Sequence, residues 1–410
     1  MTATPPETRR PEDMEILHDL PREVVYCKKC VMTNQRPATS PEFRKKETSD
    51  TPVSAFGEDG ICDACRYSEY KKTINWDDRA RQLQELCDRF RRDDGRYDVI
   101  VPGSGGKDSV FAAHILKEKY GMNPLTVTWA PHAYTDIGWK NMQAWQHAGF
   151  DNILWTPNPK IHGVLTRLAF ENLLNPFQPF ILGQKVLAPA MALKYGVGLI
   201  MYGENQAEAH NRFDDNETPL MDSAHYTCGS RDEPLYFGGV ELRGLEEYGI
   251  TMKDMQPYLP HLADEVDAAR IENHFLSYYI HWSPQQNYYY AKEASDFTSN
   301  PDRSEGTYSK YASLDDKVDG QHYYTMFIKF GQGRAMNDAC RDIRDGYIDR
   351  EEGVQLLHKY DGEFPKRHFQ FFLEYIGIDE DKYWEIVDKN RSSHLWKKSG
   401  NDWVLRHPVR

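Results

Sequence analysis

Two groups of residues in this chain have types and spacings that could do chemistry. The first is four cysteines in two pairs, Cys27-Lys-Lys-Cys30 and Cys62-Asp-Ala-Cys65. Each pair can close a tight turn that aims two thiolates at one ion, and two such turns complete a tetrahedral Zn²⁺ site. With all four positions filled the expected role is structural, and zinc is favoured over an iron–sulfur cluster. The second group is Ser104-Gly105-Gly106-Lys107-Asp108-Ser109. Gly105 and Gly106 lack the β-carbons that would keep backbone N–H groups from converging on an anion; Lys107 adds a cation, and Ser104 and Ser109 add hydroxyl donors. A phosphate fits such a cradle. Asp108 would repel it unless the carboxylate turns away, first to brace loop amides and second to bind Mg²⁺. A Walker A loop needs glycine at position 101 and serine or threonine at 108, where the chain has Val101 and Asp108. A dinucleotide G-x-G-x-x-G loop starting at Gly103 fails at the same Asp108.

The elements around the second group are a strand over Val99 to Val101, a break at Pro102-Gly103 and a helix after Asp108. Further strands are expected at Leu125 to Trp129, Asn152 to Thr156 and Val197 to Tyr202. Helices are expected near residues 139–147, 164–174 and 186–195, and an amphipathic one at 76–92 keeps Cys87 on its apolar side. Strands alternating with helices imply an α/β fold, a parallel sheet with helices on both faces and ligands beyond the carboxyl ends of the strands. The residues just after each strand then matter most. Trp129 offers an aromatic face for a base or sugar, while Gly203-Glu204-Asn205-Gln206 brings a carboxylate and two amides. Each has a plainer reading, Trp129 as core and Glu204 as a helix cap.

At 410 residues the chain exceeds a usual single domain. The expected division is a flexible tail at 1–20, a four-cysteine zinc module at 21–75, a nucleotide domain at 76–330 with an insertion around 214–244 over the active-site face or a partner, and a helical region at 331–410. Lysine and arginine number 50 against 63 acidic residues, a net charge of -13, so neither nucleic acid nor an anionic membrane is an expected partner. With no apolar run of about 18 residues and no signal-peptide pattern at its start, the chain is expected in the cytoplasm. The aromatic-dense stretch at 281–290 is either a core layer or a sugar-stacking wall. Lys329 and Arg334, in a glycine-flanked basic segment, could reach phosphates and offset charge on departing pyrophosphate; solvated surface is the alternative.

The hexapeptide SGGKDS resembles the PP-loop of ATP pyrophosphatases, which cleave ATP between its α- and β-phosphates on an adenine nucleotide alpha-hydrolase-like fold. From about Tyr26 to Tyr383 the chain is similar to the N-acetyl sugar amidotransferases of the PseA and WbpG kind. The motifs are YCKKCVMTNQRP at Tyr26, GICDACRY at Gly60, VPGSGGKDS, LTVTWAPHAYTDIGW at Leu125, LTRLAFENLLNPFQPFILGQK at Leu165, LAPAMALKYGVGLIMYGENQAE at Leu187, SPQQNYYYAKEASDF at Ser283 and KFGQGRA at Lys329. The resemblance implies ATP and Mg²⁺ as cofactors. It also implies an N-acetylated nucleotide sugar or nonulosonic acid as substrate, its acetamido group becoming acetamidino in O-antigen or pseudaminic-type glycan synthesis. Ammonia would come from a separate HisH-like glutaminase, which agrees with the chain's lack of an N-terminal catalytic cysteine and of a glutaminase triad. The rival readings are a tRNA thiolase or lysidine-type enzyme and a non-catalytic zinc-containing assembly subunit.

Overall fold

The structure, a computed structural model, describes residues 14–46, 53–205, 208 and 212–410. The first thirteen residues of the expected tail, and Gln206, lie outside the described residues. At the centre is a five-stranded sheet of β1 (Val99–Pro102), β2 (Pro124–Trp129), β3 (Asp151–Trp155), β4 (Leu199–Tyr202) and β5 (Glu272–Phe275). Every neighbouring pair is parallel, in the order β3-β2-β1-β4-β5. The chain moves outward from β1 through β2 to β3, then crosses back to lay β4 on the other side of β1, with Val99 beside Leu199 and Ile100 beside Ile200. Such a reversal opens a crevice at the carboxyl ends of β1 and β4, because their following connections diverge to opposite faces.

Period-2 alternation sorts the strand side chains. Val99, Val101, Leu199 and Met201 join one core with α2 (Trp76–Phe90), α3 (Lys107–Glu118) and α4 (Asp136–His147). Ile100, Leu125, Val127, Trp129 and Ile200 join the opposite core with α5 (Pro159–Leu173) and α6 (Gln178–Tyr195). Both faces are therefore covered, as a parallel sheet requires. Of the 214–244 segment, Cys228, Leu235 and Phe237 are buried in the α5/α6 core, together with Leu245, Met255 and Tyr258 further on, and Met221 meets the Lys185 ammonium. An apolar residue every few positions gave this stretch somewhere to bury itself.

Ahead of the sheet, α1 (Asp63–Lys71) begins inside the second cysteine pair, with Cys62 as its N-cap and Cys65 in its first turn. Beyond β5 come α7 (Pro284–Ala294), α8 (Asp319–Phe330), α9 (Arg334–Asp345), α10 (Arg350–Tyr360), α11 (Phe369–Ile376), α12 (Glu380–Lys389) and a hairpin of β6 (Trp396–Ser399) and β7 (Asp402–Leu405). Among the described residues no helix is long and apolar enough to cross a membrane. The four cysteines of the pairs share a core with Met336, Ala339 and Cys340 of α9 and Val354 and Leu357 of α10. The N-terminal module is thus clamped to the helical C-terminal region.

Candidate functional site

The loop after β1 opens a cavity of about 390 Å³ at the carboxyl ends of β1, β2 and β4, lined by Ser104, Gly106, Asp108, Ser109, Trp129, Gly203 and Glu204 among others. Gly105 takes φ +81°, and a Cβ there would lie 2.8 Å from the Asn141 carbonyl oxygen of α4. Only glycine meets both conditions without strain. Gly106 is the N-cap of α3 and no side chain caps that helix. The first N–H groups of a helix have no intrahelical acceptor, so α3 presents bare donors and the positive end of its dipole toward the cavity.

Asp108 turns away from the cradle. Its carboxylate pairs with the Lys107 ammonium and accepts a 2.9 Å hydrogen bond from Asn287 Nδ2 of α7. Burial raises its pKa, but Lys107 and Asn287 outweigh burial and hold the carboxyl below its usual value. The aromatic-dense stretch is therefore a packing helix: Tyr290 bonds His114 at 2.5 Å and stands edge-on to Phe111 of α3, and Tyr288 stacks on Tyr311. Ser109 Oγ donates to the Gly106 carbonyl at 2.9 Å, and Ser104 bonds Asp315. Gly138 of α4 lets Asp315 approach, since a Cβ at 138 would fall 2.4 Å from the Asp315 Cα.

Trp129 is only 3 % exposed and packs flat on Gly183, so it floors the cavity and does not offer an open face. The segment after it serves as a clasp, His132 Nδ1 lying 2.7 Å from Asp316 Oδ2. Glu204 meets the Arg341 guanidinium of α9 at 2.6 Å, and Asn205 is buried, its backbone N–H donating to Ser277 Oγ. Arg334 is held by Asp338 and Tyr323 and lies near Asp315 and Asp319, whose carboxyl burial pushes up to about 7. Lys329 is apart from the loop, donating to the Leu173 carbonyl at 2.7 Å and lining a different cavity.

Two cations that the sequence reading did not single out belong here. Arg341 is one, and Lys185 of α6 is the other; it lines the loop cavity with its ammonium over the Tyr202 ring, and burial holds it down to about 8. A signal for Lys185 existed: apart from Lys194 in the last turn it is the one charge in an apolar helix, four residues before Pro189, whose missing N–H leaves the Lys185 carbonyl without its helical donor.

Beneath Glu204, Lys71 of α1 and Glu208 form a 2.6 Å ion pair with side chains 7 % and 10 % exposed, and Lys71 also donates to the Trp282 carbonyl. Lys71→Met should cost about 3–5 kcal/mol by stranding a buried carboxylate, whereas Lys71→Met with Glu208→Leu should recover most of that loss. Urea unfolding of both variants checks this; equal losses would show that the pair does not hold the module to the sheet.

Cys27, Cys30, Cys62 and Cys65 are all buried, with their sulfurs within 4.8 Å of one another. Cys27 Sγ stands 3.9 Å from Cys65 Sγ, and Cys30 Sγ 3.6 Å from Cys62 Sγ. Sulfurs at about 2.3 Å from a tetrahedral ion would be about 3.8 Å apart. The N–H groups of Lys29, Cys30 and Cys62 point at Cys27 Sγ, and that of Met32 at Cys30 Sγ, as thiolate ligands require. These four residues can hold one metal ion such as zinc. Cys340, scattered in sequence, comes to hydrogen-bonding distance of Cys30.

Residues 305–410 match the family described as LPS biosynthesis protein WbpG-like, C-terminal domain. That match covers α8 to β7 and ties this region to lipopolysaccharide biosynthesis proteins of the WbpG type. Over 67 residues the chain is 37 % identical to an uncharacterized protein of Methanocaldococcus jannaschii, which is 16 % of this chain and 24 % of the relative. The chain thus spans about a quarter of the length of that curated relative.

Proposed function

We propose that this chain is an AMP-forming, ATP-dependent N-acetyl sugar amidotransferase of the PP-loop type. One observation carries the reading: a glycine turn delivers the uncapped amino end of α3 to the crevice where the sheet order reverses, with Lys185 on the cavity wall. The match of residues 305–410 to WbpG-like proteins supports it.

In this reading the cradle of Gly105, Gly106, Ser104 and Ser109 grips the β- and γ-phosphates and leaves the α-phosphorus facing the second substrate. The acetamido oxygen attacks that phosphorus, the new P–O bond forming as the bond to pyrophosphate breaks. Backbone N–H groups, Lys107 and Lys185 take up the charge that develops on pyrophosphate. Ammonia then adds to the imidate carbon, AMP departs with the original acetamido oxygen, and a proton is lost to leave the acetamidine. Mg²⁺, when bound, would neutralise phosphate oxygens; Glu204, on the cavity wall, would hold it, while Asp108 stays braced on Lys107 and Asn287. The four-cysteine site would hold a structural zinc.

A tRNA thiolase would need a reactive thiol beside the nucleotide. Cys87 is buried in the α2/α3 core and Cys228 donates toward the Pro260 and His261 carbonyls, so no described cysteine lines the loop cavity.

The test is mass spectrometry of N-acetyl sugars incubated with the protein, ATP, Mg²⁺ and ammonium. A product in which NH has replaced oxygen, with AMP in equal amount, is expected; ADP as the spent nucleotide would overturn the reading. The purified chain should turn over with ammonium salts and hardly with glutamine, and efficient glutamine use by the chain alone would contradict an external ammonia source.

A further inference from the structure

A second cavity, of about 480 Å³, lies beside the loop cavity. Ile181 of α6 lines it and Lys185, four residues on, lines the loop cavity. Residues at that spacing are neighbours on one helix face, so the two spaces follow each other along α6. A second connection runs from Ser104 through Asp315 toward Arg334, whose guanidinium donates to Tyr323 on the chamber wall.

Its charge is opposite to that of the molecule. Among the described residues five lysines and arginines line it with two carboxylates, Glu42 and Glu171, in a chain of net charge -13. Lys45 uses Glu42 in a 2.5 Å ion pair. Glu171 is the other described carboxylate on a wall that also carries Arg36, Lys46, Lys329 and Lys389. Burial with Arg341 holds the Arg36 guanidinium down to about 10, and burial with Lys45 holds the Lys329 ammonium down to about 7. An arriving anion would relieve both. The remaining wall mixes amides and hydroxyls, Ser40, Asn175 and Asn337 among them, with Met326, Leu174 and Phe330 beside His322, whose ring stacks on Phe177 and whose buried Nδ1 has no partner. Its size suits a sugar with an attached charged group.

Resting on the amidotransferase reading, we propose that this chamber binds the anionic end of the sugar substrate, a phosphate or a carboxylate, with Arg36, Lys45 and Lys329 as counter-charges, while the acetamido end extends along α6 to the loop cavity. Lys329 then acts on the sugar and not on the departing pyrophosphate.

Titration calorimetry on the full chain with three probes tests this without turnover: UDP-N-acetylglucosamine for the phosphate source, N-acetylneuraminic acid for the carboxylate source, and N-acetylglucosamine as the neutral control. One of the two anionic probes should bind at least about tenfold tighter than the neutral sugar. Lys329→Met should erase that preference while leaving the affinity for ATP in place. Lys389→Glu, on an exposed rim position, should reduce the preference in a variant that keeps its fold. The preferred probe identifies the source. Equal binding of all three, binding of none, or an unchanged preference in both variants would overturn the proposal. Failure of the enzymatic reading is separable: anion-selective binding without AMP formation would keep the chamber and remove the reaction, whereas AMP formation with unchanged binding in the variants would do the reverse.

Discussion

Gly106→Val is expected to lower AMP formation by at least about 10²-fold, the size of effect seen when backbone or amide donors to a developing anion are lost, with little change in stability. A Cβ built at Gly106 meets nothing nearer than Ser104 Oγ at 3.6 Å, so the fold has room for the side chain. The room it fills is the space before the α3 amides. As an N-cap change it should cost no more than about 1 kcal/mol. Gly105→Ala makes the contrast, because it combines a left-handed backbone with a Cβ 2.8 Å from the Asn141 carbonyl oxygen. Stability and activity should fall together there, by about 1–2 kcal/mol from the backbone alone. Full turnover in a folded Gly106→Val protein would mean that phosphate is held somewhere else.

Cys62→Ser should remove metal and several kcal/mol of stability in one step, since in closed thiolate sites the binding free energy is folding free energy. The loss should reach well beyond the cysteines. Their core is shared with α9 and α10, and Arg350 of α10 donates to the Cys30 carbonyl at 3.2 Å. Elemental analysis together with thermal unfolding reads both quantities. A variant that keeps its melting temperature without metal would refute a structural ion.

How far the sequence reveals this molecule follows from the range of the forces involved. The strand, turn and helix around Ser104 were legible because glycine, proline and a short apolar run punctuate the chain locally, and β2, β3 and β4 were found within one or two residues for the same reason. β5 was not. Its residues Glu272-Asn-His-Phe275 have no apolar alternation, and it is buried by polar pairing, His274 meeting Glu272 and Tyr279. The partners that complete the site are distant in sequence: Asn287 reaches Asp108 across 179 residues, and Arg341 reaches Glu204 across 137. Nothing local specifies such pairs. Lys329 shows a different limit, for its charge was readable but the direction of the last turn of α8, which aims it at Leu173, was set by packing. In Trp129 a buried core residue was among the readings open to the sequence, and the structure buries it; that α6 is the element covering it was not visible.

The clamp between residues 26–30 and 350–410 has a bearing on biogenesis. Tyr26 donates to the His407 carbonyl at 2.8 Å, Arg350 bridges the first cysteine turn to the Arg410 carbonyl, and Val409 lies in the cysteine core. The first cysteine turn therefore cannot meet these neighbours until some 320 further residues have been made. Until then its thiols stand open to the cell's metal and oxidant pools, and the arrival of residues 350–410 is the event that seals them.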